Sequence, residues 1–189
     1  MTVTEKFTSA DLKLMPDDGK LYEIIEGELY ISRQPSWHHQ YACGRIGRFL
    51  NESNDRSRSG IAVISPGLIF SEYDDVAPDV VWISRKRLVN ALDEAGHLRV
   101  APELVVEVLS PGKPNEDRDR QVKLKLYSRR GVKEYWIVDW INQQIEVYRR
   151  SRAKLSLVAT LFAQDKLESP LLPGFSCQVA SLFFTLPKD

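Results

Sequence analysis

The sequence has few cysteines, no long apolar run and no excess charge of either sign. Its two cysteines, Cys43 and Cys177, lie 134 positions apart and form no CxxC motif, which argues against a structural zinc site and against a disulfide framework. No segment approaches the roughly 20 apolar residues of a membrane span, and the first residues lack the apolar core of a signal peptide. We therefore expect a cytoplasmic protein with no membrane association.

The charge balance limits the mode of any nucleic-acid binding. Lysine and arginine number 26, aspartate and glutamate also number 26, and the formal net charge is zero. Attraction of the whole molecule to nucleic acid is thereby excluded, so any such binding must be local. The 189 residues show no repeat, and the ten prolines and ten glycines are scattered singly. We expect one folded domain over residues 1–189.

The hydrophobic pattern predicts strands interrupted by two longer helices. Thr8 caps a short helix that Pro16 ends, Leu21 to Ser32 form two strands that turn at Glu26-Gly27, and Ser36 caps a long helix. Further strands are predicted from Ile61, Gly67, Asp79, Leu104, Glu134 and Ile145, with shorter ones to Phe184 and a charged helix over about Asn115–Arg130. A helix between buried strands predicts a mixed sheet covered on both faces.

Two carboxylates interrupt apolar strands. Glu107 lies within LVVEVL, and Asp79 follows Pro78 at the entrance to DVVWI. A buried carboxylate must pair, take up a proton or bind a metal, because burial without a partner costs several kcal/mol. Together the two could hold Mg²⁺, which prefers oxygen ligands and leaves positions for a substrate phosphate. A buried ion pair is the alternative for each residue taken singly. Glu103 shares a strand face with Glu107 but lies about 13 Å away, too far for the same ion.

Asp119, Lys123 and Tyr127 recur at intervals of four along the charged helix, so they form one stripe that can face the sheet. An ordinary surface pair of Asp119 with Lys123 is the alternative. From Lys113 to Lys133 there are eight basic and three acidic residues, and Arg149, Arg150, Arg152 and Lys154 extend the excess. This run could follow a phosphate backbone, or it could be a solvated charged face.

Four segments, in order, resemble the Uma-two family of predicted endonucleases. They are Pro78-Asp79, Glu103 to Glu107 followed by Ser110-Pro111, the Asp119/Lys123/Tyr127 stripe, and GVKEYWIVD from Gly131 to Asp139. That family belongs to the PD-(D/E)XK restriction-endonuclease-like superfamily, and the resemblance covers a core of about residues 21–184. It implies an α/β three-layer fold, with a central mixed β-sheet flanked by helices, and a magnesium-dependent phosphodiesterase site. Manganese could replace magnesium there.

The resemblance also implies roles for individual residues. Asp79 and Glu107 match the metal-binding carboxylates. The superfamily lysine would stand two places after Glu107, where this chain has Leu109, and Lys123 is the candidate replacement. Glu23 and His39 also fall at motif positions, although a hairpin glutamate is usually solvated and a single histidine is usually packed or capped.

The expected function is hydrolysis of nucleic-acid phosphodiester bonds, with a carboxylate-held ion that activates water and Lys123 stabilising negative charge. DNA is favoured over RNA as substrate, and a homodimer would suit cleavage of two strands. Two alternatives stay open. The chain could be a nucleic-acid- or protein-binding module on an inactive nuclease scaffold. It could also be a small-molecule hydrolase, although it has no GxSxG or HExxH motif.

Overall fold

The structure is a computed structural model that describes residues 6–186, so residues 1–5 and 187–189 of the expected domain lie outside it. The strands are β1 (Leu21–Ile25), β2 (Glu28–Ser32), β3 (Gly60–Ile64), β4 (Leu68–Ser71), β5 (Asp74–Val76), β6 (Val80–Ser84), β7 (Leu104–Val108), β8 (Glu134–Asp139), β9 (Gln144–Ser151), β10 (Lys154–Phe162), β11 (Lys166–Glu168) and β12 (Ser176–Gln178). The helices are α1 (Ser9–Leu12), α2 (Trp37–Ser57), α3 (Arg85–Leu88), α4 (Lys113–Asp117) and α5 (Leu124–Arg130), with a π-helical segment (Arg118–Lys123) joining α4 to α5 and a 3₁₀ turn at Val179–Leu182.

The main sheet has six strands in the order β10-β9-β8-β7-β6-β3. Strands β7 and β8 are parallel, and the other neighbours are antiparallel. A parallel pair needs a long crossover connection, which α4, the π-helical segment and α5 supply here. The prediction of a mixed sheet with flanking helices is confirmed.

The main sheet is buried on both faces. In β6, Val80 and Trp82 belong to one apolar cluster, and Val81 and Ile83 belong to the other, as the two-residue period of a strand requires. Helix α2 covers the first face. Helix α5 and the second sheet cover the opposite face, so the fold has three layers.

The second sheet has four strands in the order β2-β1-β5-β4. Its hairpin β1-β2 turns at Glu26-Gly27, where both residues have positive φ (55° and 84°), the conformation of a tight two-residue turn. The hairpin prediction is confirmed. Because β1 lies over the main sheet, a side chain such as Glu23 can face inward from it.

Three details differ from the sequence-based expectation. The first helix ends at Leu12, before Pro16, and the charged helix begins at Lys113 and contains the π-helical segment. The expected short C-terminal strands include the nine-residue β10, which pairs with β9 through a register shift between Leu157 and Ala159. That irregularity breaks the alternation of apolar residues that marks a strand.

None of the helices within residues 6–186 is long and apolar enough to span a membrane.

Candidate functional site

Asp79 and Glu107 lie side by side at one edge of the main sheet. Strands β6 and β7 are antiparallel with Val80 opposite Val106, so Asp79, one position before Val80, comes level with Glu107. The Val108 main-chain N–H donates to Asp79 Oδ2 at 2.7 Å. The aspartate at the irregular entrance of β6 is therefore fixed beside the end of β7.

The Glu107 side chain is buried and points toward the layer that contains α5. Its Oε1 accepts hydrogen bonds from Lys123 Nζ at 3.0 Å and from Tyr127 Oη at 2.7 Å. Among residues 6–186, no donor reaches its other carboxylate oxygen, Oε2. Two donors thus hold one oxygen of Glu107 and leave the second available.

Lys123 contacts two carboxylates at once. Its Nζ lies 2.9 Å from Glu23 Oε1 and 3.0 Å from Glu107 Oε1, and only 2% of its side chain is exposed. Glu23 is also buried, and its Oε1 accepts from the Ala77 main-chain N–H. Lys125 behaves differently, since 65% of its side chain is exposed and it pairs with Glu26.

The π-helical segment explains how one helix face carries three site residues. In a regular α-helix, positions four apart rotate by about 40° relative to each other, so the stripe would drift. The wider turn of Arg118–Lys123, with its i→i+5 hydrogen bonds, reduces that drift. Asp119, Lys123 and Tyr127 are all buried against the sheet.

Asp119 has one oxygen bonded and one without a partner. Arg118 Nε donates to Asp119 Oδ1 at 3.0 Å, whereas Asp119 Oδ2 is buried with no hydrogen-bond partner in the described part of the chain. Arg118 also donates to Ser32 Oγ in β2. Arg118 thereby links the helix to the hairpin at the edge of the site.

His39 reaches the site from the opposite layer. It lies in the first turn of α2, where Ser36 Oγ accepts from the His39 main-chain N–H at 3.3 Å. The ring Nε2 is 3.2 Å from Asp79 Oδ2, and its Nδ1 is 3.6 Å from the Cys43 sulfur. His39 is therefore a packed histidine that also contacts a candidate metal ligand.

Burial of several charges in one place shifts their pKa values. Burial raises the pKa of Glu107 from 4.5 to about 8, and the nearby charges of Asp79, Asp119 and Glu23 add to this rise while Lys123 opposes it. Burial also raises the pKa of Asp119, against Lys123 and Arg118. The pKa of Lys123 is raised because Glu107, Glu23 and Asp119 outweigh its own burial.

The cluster carries more negative than positive charge. Glu23, Asp79, Glu107 and Asp119 face the cations Lys123 and Arg118. All of these groups except Asp119, which is fully buried behind them, line a cavity of about 210 Å³. Its lining comprises Leu21, Glu23, Ser32, Arg33, Pro35, His39, Gln40, Ser65, Ala77, Asp79, Glu107, Ser110, Arg118 and Lys123.

The donor set fits a hard divalent cation. Asp79 Oδ2 and Glu107 Oε1 take the hydrogen bonds described above, while within residues 6–186 no donor reaches Asp79 Oδ1 or Glu107 Oε2. A Mg²⁺ or Mn²⁺ ion prefers carboxylate oxygens and would offset the excess negative charge. Two adjacent carboxylates with one free oxygen each can supply two ligands to such an ion, and waters or a substrate phosphate would supply the others.

Glu103 lies outside this cluster. Its carboxylate accepts from the Ser84 main-chain N–H at 3.1 Å and from Ser84 Oγ at 2.8 Å, at the far end of the β6-β7 pair. The structure therefore places Glu103 away from the cavity and gives it a structural contact in place of a site contact.

The basic run on the charged helix is largely neutralised by ion pairs, which favours a solvated charged face over a surface that follows a phosphate backbone. The ion pairs are Lys113 with Asp117, Arg118 with Asp119, Arg120 with Glu116 and Glu146, Lys125 and Arg129 with Glu26, Arg130 with Asp74, Lys133 with Glu103, and Arg149 with Glu134. Arg150 donates to main-chain carbonyl oxygens. Counting charges along the run finds Glu116, Asp117 and Asp119 but misses Glu26, Asp74 and Glu146, which other parts of the fold bring to the run.

Sequence reasoning also missed two residues of the site. Arg118 was counted only as part of the basic run, although it directly precedes Asp119 and bonds to it. Cys43 was considered only as a possible zinc or disulfide residue. Its spacing of four from His39 in a helix was the available signal, because residues four apart share a helix face.

Comparisons with known proteins agree with this architecture. A crystal structure described as a "putative nuclease belonging to DUF820" from Anabaena variabilis superposes with a TM-score of 0.74 at 18% sequence identity, covering 94% of this chain and 97% of that one. The comparison with curated proteins returned no match. Residues 9–180 match the family Uma2, described as "Putative restriction endonuclease". The restriction-endonuclease-like fold predicted from the resemblance is confirmed, family and fold together indicate a nuclease, and the chain belongs to the Uma2 family.

Proposed function

We propose that this protein is a nuclease that hydrolyses nucleic-acid phosphodiester bonds with a Mg²⁺ ion, or Mn²⁺ in its place, held by Asp79 and Glu107. The observation that carries the proposal is the pairing of these two carboxylates across β6 and β7, each with one oxygen free of donors within residues 6–186. Such a bound ion polarises the phosphate and supplies an activated water.

Residues of the protein position the two carboxylates and supply positive charge at this site. Lys123 and Tyr127 hold Glu107 in one orientation through hydrogen bonds to Oε1. The Val108 main-chain N–H holds Asp79 through Oδ2. Lys123 lines the cavity, so its ammonium can also offset negative charge that develops on a phosphate there.

Arg33 and Arg118 supply positive charge at the cavity wall. Arg118 is fixed by Asp119 and Ser32, and Arg33 lies on the exposed rim. Arginine side chains pair with phosphate through several N–H donors, so these two residues are the candidates to receive the backbone on either side of the cleaved bond. Binding is then local, as net neutrality requires.

We further propose that the substrate is DNA and that two copies act together. The description of the family as a restriction endonuclease favours DNA. The candidate site lies within one chain, so cutting both strands of a duplex would take two chains related by a twofold axis. The free, buried thiols of Cys43 and Cys177 suit the reducing cytoplasm.

A cleavage assay tests the proposal. The purified chain is incubated with single- and double-stranded DNA in Mg²⁺, Mn²⁺ or a chelator, together with the variants Asp79→Asn, Glu107→Gln and Glu103→Gln. We expect ion-dependent cleavage that falls by about 10²-fold or more in the first two variants, the scale of losing a group that stabilises transition-state charge. The matched control Glu103→Gln, a buried glutamate beside the same strand, retains cleavage.

Two observations favour an inactive binding module as a second candidate. The lysine expected two places after Glu107 is replaced by Leu109, and both carboxylate partners of Lys123 already balance its charge. If wild-type protein binds the ion and DNA but cleaves neither single-stranded nor double-stranded DNA, the nuclease proposal is overturned and this alternative is supported.

A further inference from the structure

A second kind of metal-ligand set lies beside the carboxylate pair. His39 and Cys43, one helical turn apart on α2, face Asp79 at the start of β6. One ligand atom from each of the three residues lies within 4.8 Å of the others, and all three side chains are mostly or fully buried. This cluster combines nitrogen, sulfur and oxygen donors in one place.

The donor types favour a different cation from that of the carboxylate pair. Mg²⁺ prefers oxygen, whereas thiolate and imidazole select Zn²⁺ and similar transition metals. Bond lengths of about 2.0–2.3 Å in a tetrahedral zinc site place neighbouring ligand atoms roughly 3.3–3.6 Å apart. The observed separations of 3.6 Å (Cys43 sulfur to His39 Nδ1) and 3.2 Å (His39 Nε2 to Asp79 Oδ2) are close to this spacing.

The two separations involve different nitrogens of the His39 ring. An ion would bind one of them, so the remaining ligand must move closer by at most about 1.2–1.5 Å, the difference between 4.8 Å and the ligand spacing of a zinc site. The cavity lined by His39 and Asp79 gives access from solvent and leaves room for a water in the fourth position.

We propose that His39, Cys43 and Asp79 form a binding site for Zn²⁺ or a similar thiophilic divalent cation, which shares Asp79 with the magnesium site and has His39 and Cys43 as its other ligands. The Cys43 thiol loses its proton to solvent as the sulfur–metal bond forms. Because Asp79 serves both sites, a bound zinc ion displaces Mg²⁺ and suppresses cleavage. Zinc binding to these three residues does not depend on the proposed nuclease function. Only the predicted suppression of cleavage rests on that function.

Cobalt spectroscopy tests the ligand set without reference to activity. Co²⁺ substitutes for Zn²⁺, and a thiolate ligand gives it a charge-transfer band in the near ultraviolet. Metal-free wild type titrated with Co²⁺ should show this band at about one ion per chain. Cys43→Ser should abolish it and weaken zinc affinity at least tenfold, the lower range of losses on disturbing a metal site.

Cys177→Ser is the matched control, because Cys177 is the other buried free cysteine and lies in the apolar core. It should keep the band. Cobalt binding without a thiolate band, or a band that survives in Cys43→Ser, would overturn the proposal. Thermal unfolding of each variant, with Cys43→Ala as a second replacement, separates loss of a ligand from loss of folding.

A cleavage measurement separates this inference from the proposed function. In wild type and Cys177→Ser, Zn²⁺ should reduce Mg²⁺-dependent cleavage, and the ratio of rates with and without Zn²⁺ should return toward one in Cys43→Ser. A thiolate band in a protein that never cleaves supports the zinc site and overturns the nuclease proposal. Mg²⁺-dependent cleavage by a protein that shows no thiolate band with Co²⁺ overturns the zinc site alone. Cleavage that bound Zn²⁺ does not change overturns the proposal that the two sites share Asp79.

Discussion

Lys123 and Glu107, sixteen positions apart, form a buried contact with Nζ 3.0 Å from Oε1, which is an ion pair when Glu107 is ionised. The glutamate comes from the end of β7 and the lysine from the last position of the π-helical segment. The pair joins the central sheet to the helix that covers it. It also fixes the carboxylate that we propose as a metal ligand.

Replacing Lys123 should destabilise the fold in a pH-dependent way. Lys123→Met leaves Glu23 and Glu107 buried without their cation, and breaking a buried pair in this way costs about 3–5 kcal/mol. The loss should be largest at pH 8 and smaller near pH 5, where Glu107, whose pKa is raised to about 8, can take up a proton. Denaturant unfolding at both pH values measures it. Lys125→Met should cost less than about 1 kcal/mol, and equal losses would show that Lys123 makes no special contribution.

The raised pKa of Glu107 predicts how stability depends on pH. Its pKa is about 8 in the folded protein, compared with an ordinary value of 4.5. A carboxyl group with a raised folded pKa contributes stability below about pH 4.5 and loses that contribution as the pH rises through about 8. Without metal, wild type should therefore lose more stability between pH 5 and pH 8 than Glu107→Gln does. Identical pH profiles of the unfolding free energy would contradict the raised pKa.

Magnesium binding should release a proton near neutral pH. An ion at Glu107 favours the ionised carboxylate and lowers its pKa, so the proton held in the metal-free protein leaves. Calorimetric titrations in buffers of different ionisation enthalpy should give up to about one proton per ion for wild type. The Glu107→Gln variant should release none. A binding heat that is the same in all buffers would place the ion away from Glu107.

Tyr127 should act by positioning Glu107. Removal of its hydroxyl in Tyr127→Phe takes away a buried hydrogen bond to a carboxylate, at a cost of about 1.5–3 kcal/mol. It should also raise the pKa of Glu107 and shift the pH profile of cleavage upward. Tyr148→Phe is the matched control, because Tyr148 also donates at 2.7 Å to a glutamate, Glu146, outside the cavity. A shift in both variants would remove the positioning role.

The sequence predicts those elements whose pattern is local. The strand EYWIVD over Glu134–Asp139 and the hairpin turn at Glu26-Gly27 both appear as predicted, because apolar periodicity and turn residues determine them. Strand β5 (Asp74–Val76) was missed, since it is three residues long and begins with two aspartates. Its pairing with β1 and β4 is a tertiary effect.

The site residues also fall into two groups, those that the local sequence pattern predicts and those that depend on tertiary structure. Helical spacing separates Lys123 from Lys125, and the structure shows one buried and the other exposed. The burial of Glu23 could not be derived from its hairpin, because it depends on a lysine one hundred positions away. The pairing of the basic run with Glu26, Asp74 and Glu146 likewise depends on tertiary structure. A residue count gives charge, whereas pairing depends on which strands the fold brings together.

A crystal structure with Mn²⁺, located by its anomalous scattering, tests the central claim most directly. We predict an anomalous peak between the Asp79 and Glu107 carboxylates, with metal–oxygen distances of about 2.1–2.2 Å, and no peak at this position in Asp79→Asn crystals treated in the same way. A fully occupied Mn²⁺ that contacts neither carboxylate, or crystals of intact protein with no peak at this edge of the sheet, would contradict the account.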